Sequence, residues 1–261
     1  MILSKRGKAL TIPCVGNSPP ISCVIPVYNA ERWLAEAIES LLAQTRPPSE
    51  IVVIDDGSTD GSQVVAAAYG ERVRYARQDH AGPATARNLG IEITSRDLVA
   101  FLDADDIAEP DRLKKQVACF DAIPDLDVCL TYIQRFWIPE LAEEEERLGE
   151  TDFARPRPGT VTQSGMVRRE LLERVVFDPS LMTGEDQDWL LRAREAGARV
   201  HLIDAVLVRR RMHFGNVTRR QDAVRDDILV WVRRALHRQR EAGGGSRSGP
   251  YDSTGPPSER P

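Results

Sequence analysis

Along the first half of the chain, short apolar runs alternate with stretches of helical period. Residues 21–26 form the first run. Residues 30–44 follow, with apolar positions at Trp33, Leu34, Ala37, Ile38, Leu41 and Leu42. That spacing predicts a helix with one buried face. The β-branched run at 51–54, closed by Asp55-Asp56-Gly57, predicts a buried strand. A helix is expected at roughly 60–69, a shorter strand at 72–77, and a helix from about Pro83, where proline suits the first turn. A fourth strand at 98–102 and a helix at 111–120 complete the alternation. Fully apolar strands separated by helices predict an α/β fold, a mostly parallel central sheet flanked by helices. In such sheets ligands bind beyond the C-terminal strand ends. Three polar clusters fall at those ends: Val27-Tyr28-Asn29, Asp55-Asp56-Gly57-Ser58 and Asp103-Ala104-Asp105-Asp106.

The second half is less regular. A strand is expected at 126–133 and an irregular insertion or mobile loop at 137–158, where four glutamates stand in a row. A strand-like patch at 160–162 leads into a helix at about 164–173. Another helix is expected at 185–195, and an apolar strand at 205–208 ends in Arg209-Arg210-Arg211. The pattern divides into a flexible tail at 1–19, a single folded domain at 20–217, a helix at 218–240 and a disordered tail at 241–261, rich in Gly, Ser and Pro. No internal repeat is present.

Composition narrows the class. At 261 residues with 41% hydrophobic and 29% charged residues, the chain reads as an ordinary globular protein. Its net charge of −5 gives no reason to expect a nucleic-acid partner. Cys14, Cys23, Cys119 and Cys129 form no CxxC pair, so they read as reduced thiols of a cytoplasmic protein without a zinc site. The basic start is followed by a short apolar stretch broken by Pro13, so no secretory signal is expected. No run reaches membrane-spanning length. Any membrane contact is therefore expected to be peripheral, at the inner face. The 218–240 helix has Val224, Ile228, Val232 and Leu236 on one stripe and arginines elsewhere, which suits either an anionic lipid surface or docking on the domain.

The segment Phe101-Leu102-Asp103-Ala104-Asp105-Asp106 carries the clearest chemistry. Asp103 and Asp105, two residues apart, project to one side of an extended segment. Oxygen ligands suit Mg²⁺ or Mn²⁺ bound with a diphosphate, although acids are also ordinary turn formers. Tyr28 offers a ring for a nucleobase, or packs on the next helix. Asn29 reads as a helix N-cap. Asp56 either accepts a base N–H or closes a turn. The helix start at Gly82-Pro83-Ala84, with Arg87 one turn in, suits an anion or simply close packing. Thr183 and Asp186 fit a capping box, and Asp186 equally fits a general base. His213 stands after the arginine run as a third metal ligand or a structural histidine. No GxGxxG or GxxxxGK[ST] loop is present, which excludes dinucleotide dehydrogenases and P-loop enzymes.

Taken in order, Ser22-Cys-Val-Ile-Pro-Val-Tyr-Asn-Ala, Ile54-Asp-Asp-Gly-Ser-Thr-Asp, Gly82-Pro-Ala-Thr-Ala-Arg-Asn-Leu-Gly, Phe101-Leu-Asp-Ala-Asp-Asp and Gly184-Glu-Asp-Gln-Asp-Trp resemble the family 2 glycosyltransferases, inverting enzymes of the GT-A fold. The resemblance covers about 20–217, most densely 21–113. It implies transfer of a sugar from a nucleotide-diphosphate sugar, most often a UDP-sugar, to a hydroxyl of a glycan, a lipid-linked or another acceptor, with Mn²⁺ or Mg²⁺. By the same resemblance Pro26, Tyr28 and Asp56 match base and ribose positions, and Arg87 a basic position near the nucleotide. Asp103 and Asp105 match the DxD motif, Asp186 the catalytic base, and Arg211, His213 and Asn216 an RxHxxN element that offers His213 to the metal. A QxxRW motif is missing, so processive synthases match poorly. Two alternatives are a member that binds nucleotide without catalysis and a sugar nucleotidyltransferase; the latter needs a glycine-rich loop where Pro26-Val27-Tyr28 stands. Acceptor choice is expected in 130–165, where Phe136 and Trp137 stack on sugars or merely pack, and in the C-terminal part.

Overall fold

The computed structural model describes residues 19–216, 232–234, 236–238 and 240. The expected tails, apart from Pro19, lie outside the described residues, as do Cys14, Val224 and Ile228. Three strands form where the apolar runs predicted them: β1 (Ile21–Val27), β2 (Glu50–Asp55) and β4 (Leu98–Phe101). β3 (Arg74–Arg77) is the short fourth member, and these four pair in parallel in the order β3-β2-β1-β4. Parallel pairing forces crossovers, supplied by α1 (Leu34–Leu42), α2 (Ser62–Ala67) and α3 (Pro83–Ile93).

Alternation along each strand sends side chains to two separate cores. Ile21, Cys23, Ile25 and Val27 of β1 pack with Leu34, Ile38 and Leu41 of α1 and with Leu113, Val117 and Phe120 of α4 (Arg112–Ala122). Val24, Val52, Ile54, Val99 and Phe101 face Ala84, Ala86 and Ile91 of α3 and Trp189 of α8 (Glu185–Glu195) on the other side. Proline inside a central strand is unusual. Here the Val24 carbonyl accepts Leu102 N–H on the β4 side and the Val27 carbonyl accepts Asp56 N–H on the β2 side. Pro26 therefore faces the β4 side, past Val24, where that ladder has ended, and its missing donor breaks no pair.

Beyond β4 the sheet continues β4-β8-β6-β9-β5, with β5 (Ile107–Ala108), β6 (Val128–Trp137), β8 (Met166–Arg168) and β9 (Val200–Met212). β8 runs antiparallel to β4 and to β6, while β6 and β9 are parallel through a bulge near Tyr132. β7 (Arg157–Pro158) adds to β6. Several expectations change here. Arg209, Arg210 and Arg211 sit inside β9, pairing with Gln134, Arg135 and Phe136, rather than in a turn after it. The patch at 160–162 is the start of a short helix, α6 (Val161–Ser164), and the expected helix at 164–173 divides into β8 and α7 (Arg169–Arg174). The insertion is partly ordered by α5 (Ala142–Leu148), whose flank closes a third small core of Trp137, Ile138, Leu141, Ala154 and Met212. Trp137 therefore packs, its indole N–H donating to Glu144. Among the described residues no helix is long and apolar enough to cross a membrane.

Candidate active site

The chain leaves β4 at Phe101 and turns back on itself before β5. That turn holds Asp103, Asp105 and Asp106, with one oxygen of each within 4.8 Å of the others. Asp106 is almost wholly buried; one oxygen accepts Arg211 N–H at 3.0 Å and the other has no partner. Burial, then the charges of Asp105 and Asp103, push the Asp106 carboxyl well above its usual range. Burial and Asp105 raise Asp103 too, against the pull of Arg87. Three crowded carboxylates with an orphaned buried oxygen suit a hard divalent cation, so the residues fit Mn²⁺ or Mg²⁺.

Arg87 ties this turn to a distant helix. It is 4% exposed, donating to Asp103 Oδ1 at 2.9 Å and to Glu185 Oε1 at 2.6 Å. Burial disfavours its charge, but Glu185, Asp103 and Asp186 outweigh that and hold the guanidinium more firmly protonated. Glu185 carries the opposite strain: burial lifts its carboxyl to about 7 despite Arg87, with Asp186 adding to the rise. α8 begins from Gly184, in the left-handed region at φ 70°, so its N-cap falls one residue later than the expected Thr183 box. That start places Asp186 in the first turn, buried, with Oδ1 accepting Gln187 N–H at 2.8 Å. Asp186 thus stands next in the chain to Glu185, the residue that Arg87 ties to Asp103, and its charge reaches Arg87.

On the β1 and β2 side, Tyr28 is half exposed and stacks on His80, with ring centroids 4.2 Å apart. Asp56 is 3% exposed and already fully engaged. Its Oδ1 accepts Gln78 Nε2 and Ala81 N–H; its Oδ2 accepts Gly82 N–H and lies 2.8 Å from His80 Nδ1. A carboxylate offers about four acceptor positions. Asp56 therefore clasps the 78–82 loop, and a base N–H reaches it only if His80 moves. Gly82, at φ 91°, is the turn this clasp requires, and a Cβ there would meet Met182 Sδ at 2.8 Å. Asn29 is no N-cap: α1 starts at Leu34, and Asn29, at φ 51°, accepts Thr59 N–H instead.

The strand β9 brings the last group. His213 Nε2 is 2.8 Å from Asp105 Oδ2, and Asn216 Nδ2 is 3.2 Å from the same oxygen. Asn216 Oδ1 also accepts His213 N–H at 2.7 Å, holding the loop in shape. Arg211 is buried rather than solvated, bonding the Asp105 carbonyl at 3.0 Å and Glu36 at 2.5 Å and lying on Trp33 and Phe136. Of the eight site candidates, Arg87 and Asp103 are in direct contact, as are Asp105 and His213; Pro26, Tyr28 and Asp56 stand at the ends of β1 and β2, and Asp186 stands beside Glu185, the second partner of Arg87.

The model of glycosyl transferase family 2 matches residues 22–175, more than half of the chain. The chain belongs to glycosyltransferase family 2. An uncharacterized glycosyltransferase of Rickettsia felis is 36% identical over 131 residues, 49% of this chain and 21% of that protein. One of Rickettsia typhi is 28% identical over 213 residues, 77% of this chain and 66% of the relative. The chain thus spans about a fifth of the first of these and two thirds of the second. Among solved structures, the mannosyltransferase PcManGT of Pyrobaculum calidifontis, in complex with GDP-Man and Mn²⁺, superposes with a TM-score of 0.64 at 19% identity, over 84% of this chain and 64% of that one. S. aureus TarS 1-349 with UDP-GlcNAc gives 0.62 at 22% identity, over 76% and 60%. These likenesses show the fold, which is of the GT-A type.

Against the family 2 pattern, two supports of the site escaped sequence reading. Glu185 stood beside Asp186 with no role assigned, and only the folded chain shows it holding Arg87. Arg112 is fully buried, donating to the carbonyls of Phe101 and Gly165 and so fixing the end of β4. Burial lowers its pKa to about 10. Its signal was available: Arg112 and Gln116 interrupt the apolar stripe of α4 one turn apart, and they bond each other.

Proposed function

We propose that the chain transfers a sugar from a nucleotide-diphosphate sugar, a UDP-sugar by family resemblance, to an acceptor hydroxyl with inversion at the anomeric carbon. The observation that carries this reading is the Arg87 bridge, which joins the Asp103 turn to the first turn of α8, where Asp186 stands. Asp103 and Asp105, with His213 beside them, would hold Mn²⁺ or Mg²⁺, in keeping with the Mn²⁺ named with the mannosyltransferase. When bound, that cation offsets the charge growing on the departing diphosphate. Asp186, in the first turn of α8, where the helix end favours negative charge, takes the proton of the attacking hydroxyl. Arg87 keeps Asp103 and α8 at fixed separation while this happens. Tyr28 and Pro26 form the floor under the base, and Asp56 joins only with His80 displaced. The place of action is the cytoplasm.

Asp186→Asn preserves shape and removes basicity. Release of nucleoside diphosphate in the presence of acceptor should fall about 10²–10⁴-fold, with donor affinity measured by calorimetry unchanged. Transfer at the normal rate would remove Asp186 from the mechanism, and release of pyrophosphate instead would indicate nucleotidyl transfer.

A further inference from the structure

Three arginines gather beside the acid turn, two of them, Arg135 and Arg157, without an acid of their own. In the β6–β9 register Arg135 stands directly beside Arg210, and β7 places Arg157 opposite Ile133, two residues before Arg135. Cross-strand partners, and residues two apart, share a face of the sheet. Continuing the β5–β9 register one step beyond Ile107 and Arg209 puts Arg210 beside Asp106. The result is a row across the strands: the Asp106 turn, Arg210, Arg135, Arg157. With about 4.8 Å between neighbouring strands, the far end of the row lies on the order of 14 Å from the acids.

Arg210 answers the acids, its charge opposing the rise in the pKa of both Asp103 and Asp106. The other two have no such partner. Among the described residues neither Arg135 nor Arg157 has a carboxylate at ion-pair distance; Asp152, the nearest acid in sequence to Arg157, pairs with Arg155 at 2.8 Å. Arg135 is 7% exposed, its guanidinium 3.7 Å from the Phe153 ring centre and one amino group on the Phe153 carbonyl, while its Nε is buried with no acceptor. Burial, then Arg157 and Arg210, lower the Arg135 pKa to about 10. An anion bound among these guanidinium groups would offset that repulsion. Arg157, exposed on the edge strand β7, leaves the row open to solvent.

We propose that Arg135, Arg157 and Arg210 form a subsite for a phosphate ester carried by the acceptor. The assignment rests on the sugar-transfer reading, which puts the donor diphosphate at the acid turn and leaves the outer arginines for the second substrate. Guanidinium forks match phosphate geometry, and several of them together match a dianion better than a carboxylate's single charge.

The test uses the full chain and calorimetry with inorganic phosphate, at constant ionic strength, in the presence of saturating UDP or GDP with Mg²⁺. Phosphate should bind alongside the nucleotide, and Arg157→Gln, an edge-strand change, should weaken it about tenfold with nucleotide affinity held within twofold. Arg135→Lys should weaken it as well, since an ammonium keeps the charge and loses the fork. Four results would overturn the proposal: no phosphate binding at millimolar concentration, displacement of phosphate by the nucleotide, equal loss of phosphate and nucleotide in Arg157→Gln, or acetate binding as tightly as phosphate. Failure of the transfer reading is separable, because it shows as normal transfer in Asp186→Asn or as no nucleotide binding, whatever phosphate does; it would leave an anion site without an acceptor role and so overturn that part.

Discussion

Asp55 and Asp56 are neighbours in sequence and have different work. Asp56 shapes the 78–82 loop, whereas Asp55, fully buried, holds the end of β2 to β3. Its carboxylate accepts Tyr75 Oη at 2.5 Å, Ser58 N–H at 2.7 Å and Arg77 NH1 at 3.1 Å. Burial alone would raise the Asp55 pKa, but the bonds from Tyr75 and Ser58 and the charge of Arg77 outweigh it, and the net direction is down. A carboxyl whose pKa is lower folded than unfolded stabilises the fold fully above the unfolded value, near 3.9, and loses that contribution as pH falls through the depressed folded value. Asp55→Asn should therefore cost about 2 kcal/mol at pH 7, the worth of a buried charged hydrogen bond, and progressively less in acid. Denaturant titrations of both proteins at pH 7 and pH 3 check this; an equal gap at the two pH values would mean that charge is not what Asp55 contributes.

At the scale of elements, α3 shows how packing overrides local preference. Gly90 sits in the helix interior, where alanine is favoured by about 1 kcal/mol. A Cβ at Gly90 would come 2.4 Å from Val24 Cγ1 and 3.3 Å from Ile54 Cγ1, so the helix rests on the sheet through this residue. Overpacking costs about 1–3 kcal/mol and should win. Gly90→Ala is expected to lower the melting temperature by several degrees, and transfer activity by more than stability alone requires, since Arg87 lies one turn away on the same helix. A rise in melting temperature would show that the helix shifts freely. The same contrast explains what could be read from the chain beforehand. β1, β2, β4 and the start of α8 at Glu185 carry their signals in consecutive residues: apolar runs, and a glycine before three acids. The arginines of β9 carry a turn signal locally and become strand only because β6 pairs with them across some seventy positions. The site's acids were legible for the first reason. Glu185, Arg112 and the arginine row were not, because their meaning lies in partners far along the chain.

For the whole molecule, the open question is what the basic C-terminal helix faces. Two of its described arginines point to the domain: Arg234 meets Asp178 at 2.6 Å, and Arg238 meets Glu195 at 2.8 Å and the buried Asp188 at 3.5 Å. Exposed ion pairs are worth about 0–1 kcal/mol each. An anionic lipid surface offers about 1 kcal/mol per arginine at low salt. The two attractions are therefore closely matched, and the domain has the advantage of proximity. Removing the competitors should tip the balance: Asp178→Asn with Glu195→Gln removes the exposed carboxylate partner of each arginine without touching the helix and leaves the Asp188 contact in place. Sedimentation with phosphatidylglycerol vesicles at low ionic strength should rise about fivefold over the parent, which is roughly 1 kcal/mol, and the gain should vanish in high salt as screening shortens the reach of the charges. Equal sedimentation of variant and parent would mean that Asp178 and Glu195 do not restrain the helix, leaving the Asp188 contact to hold it on α8.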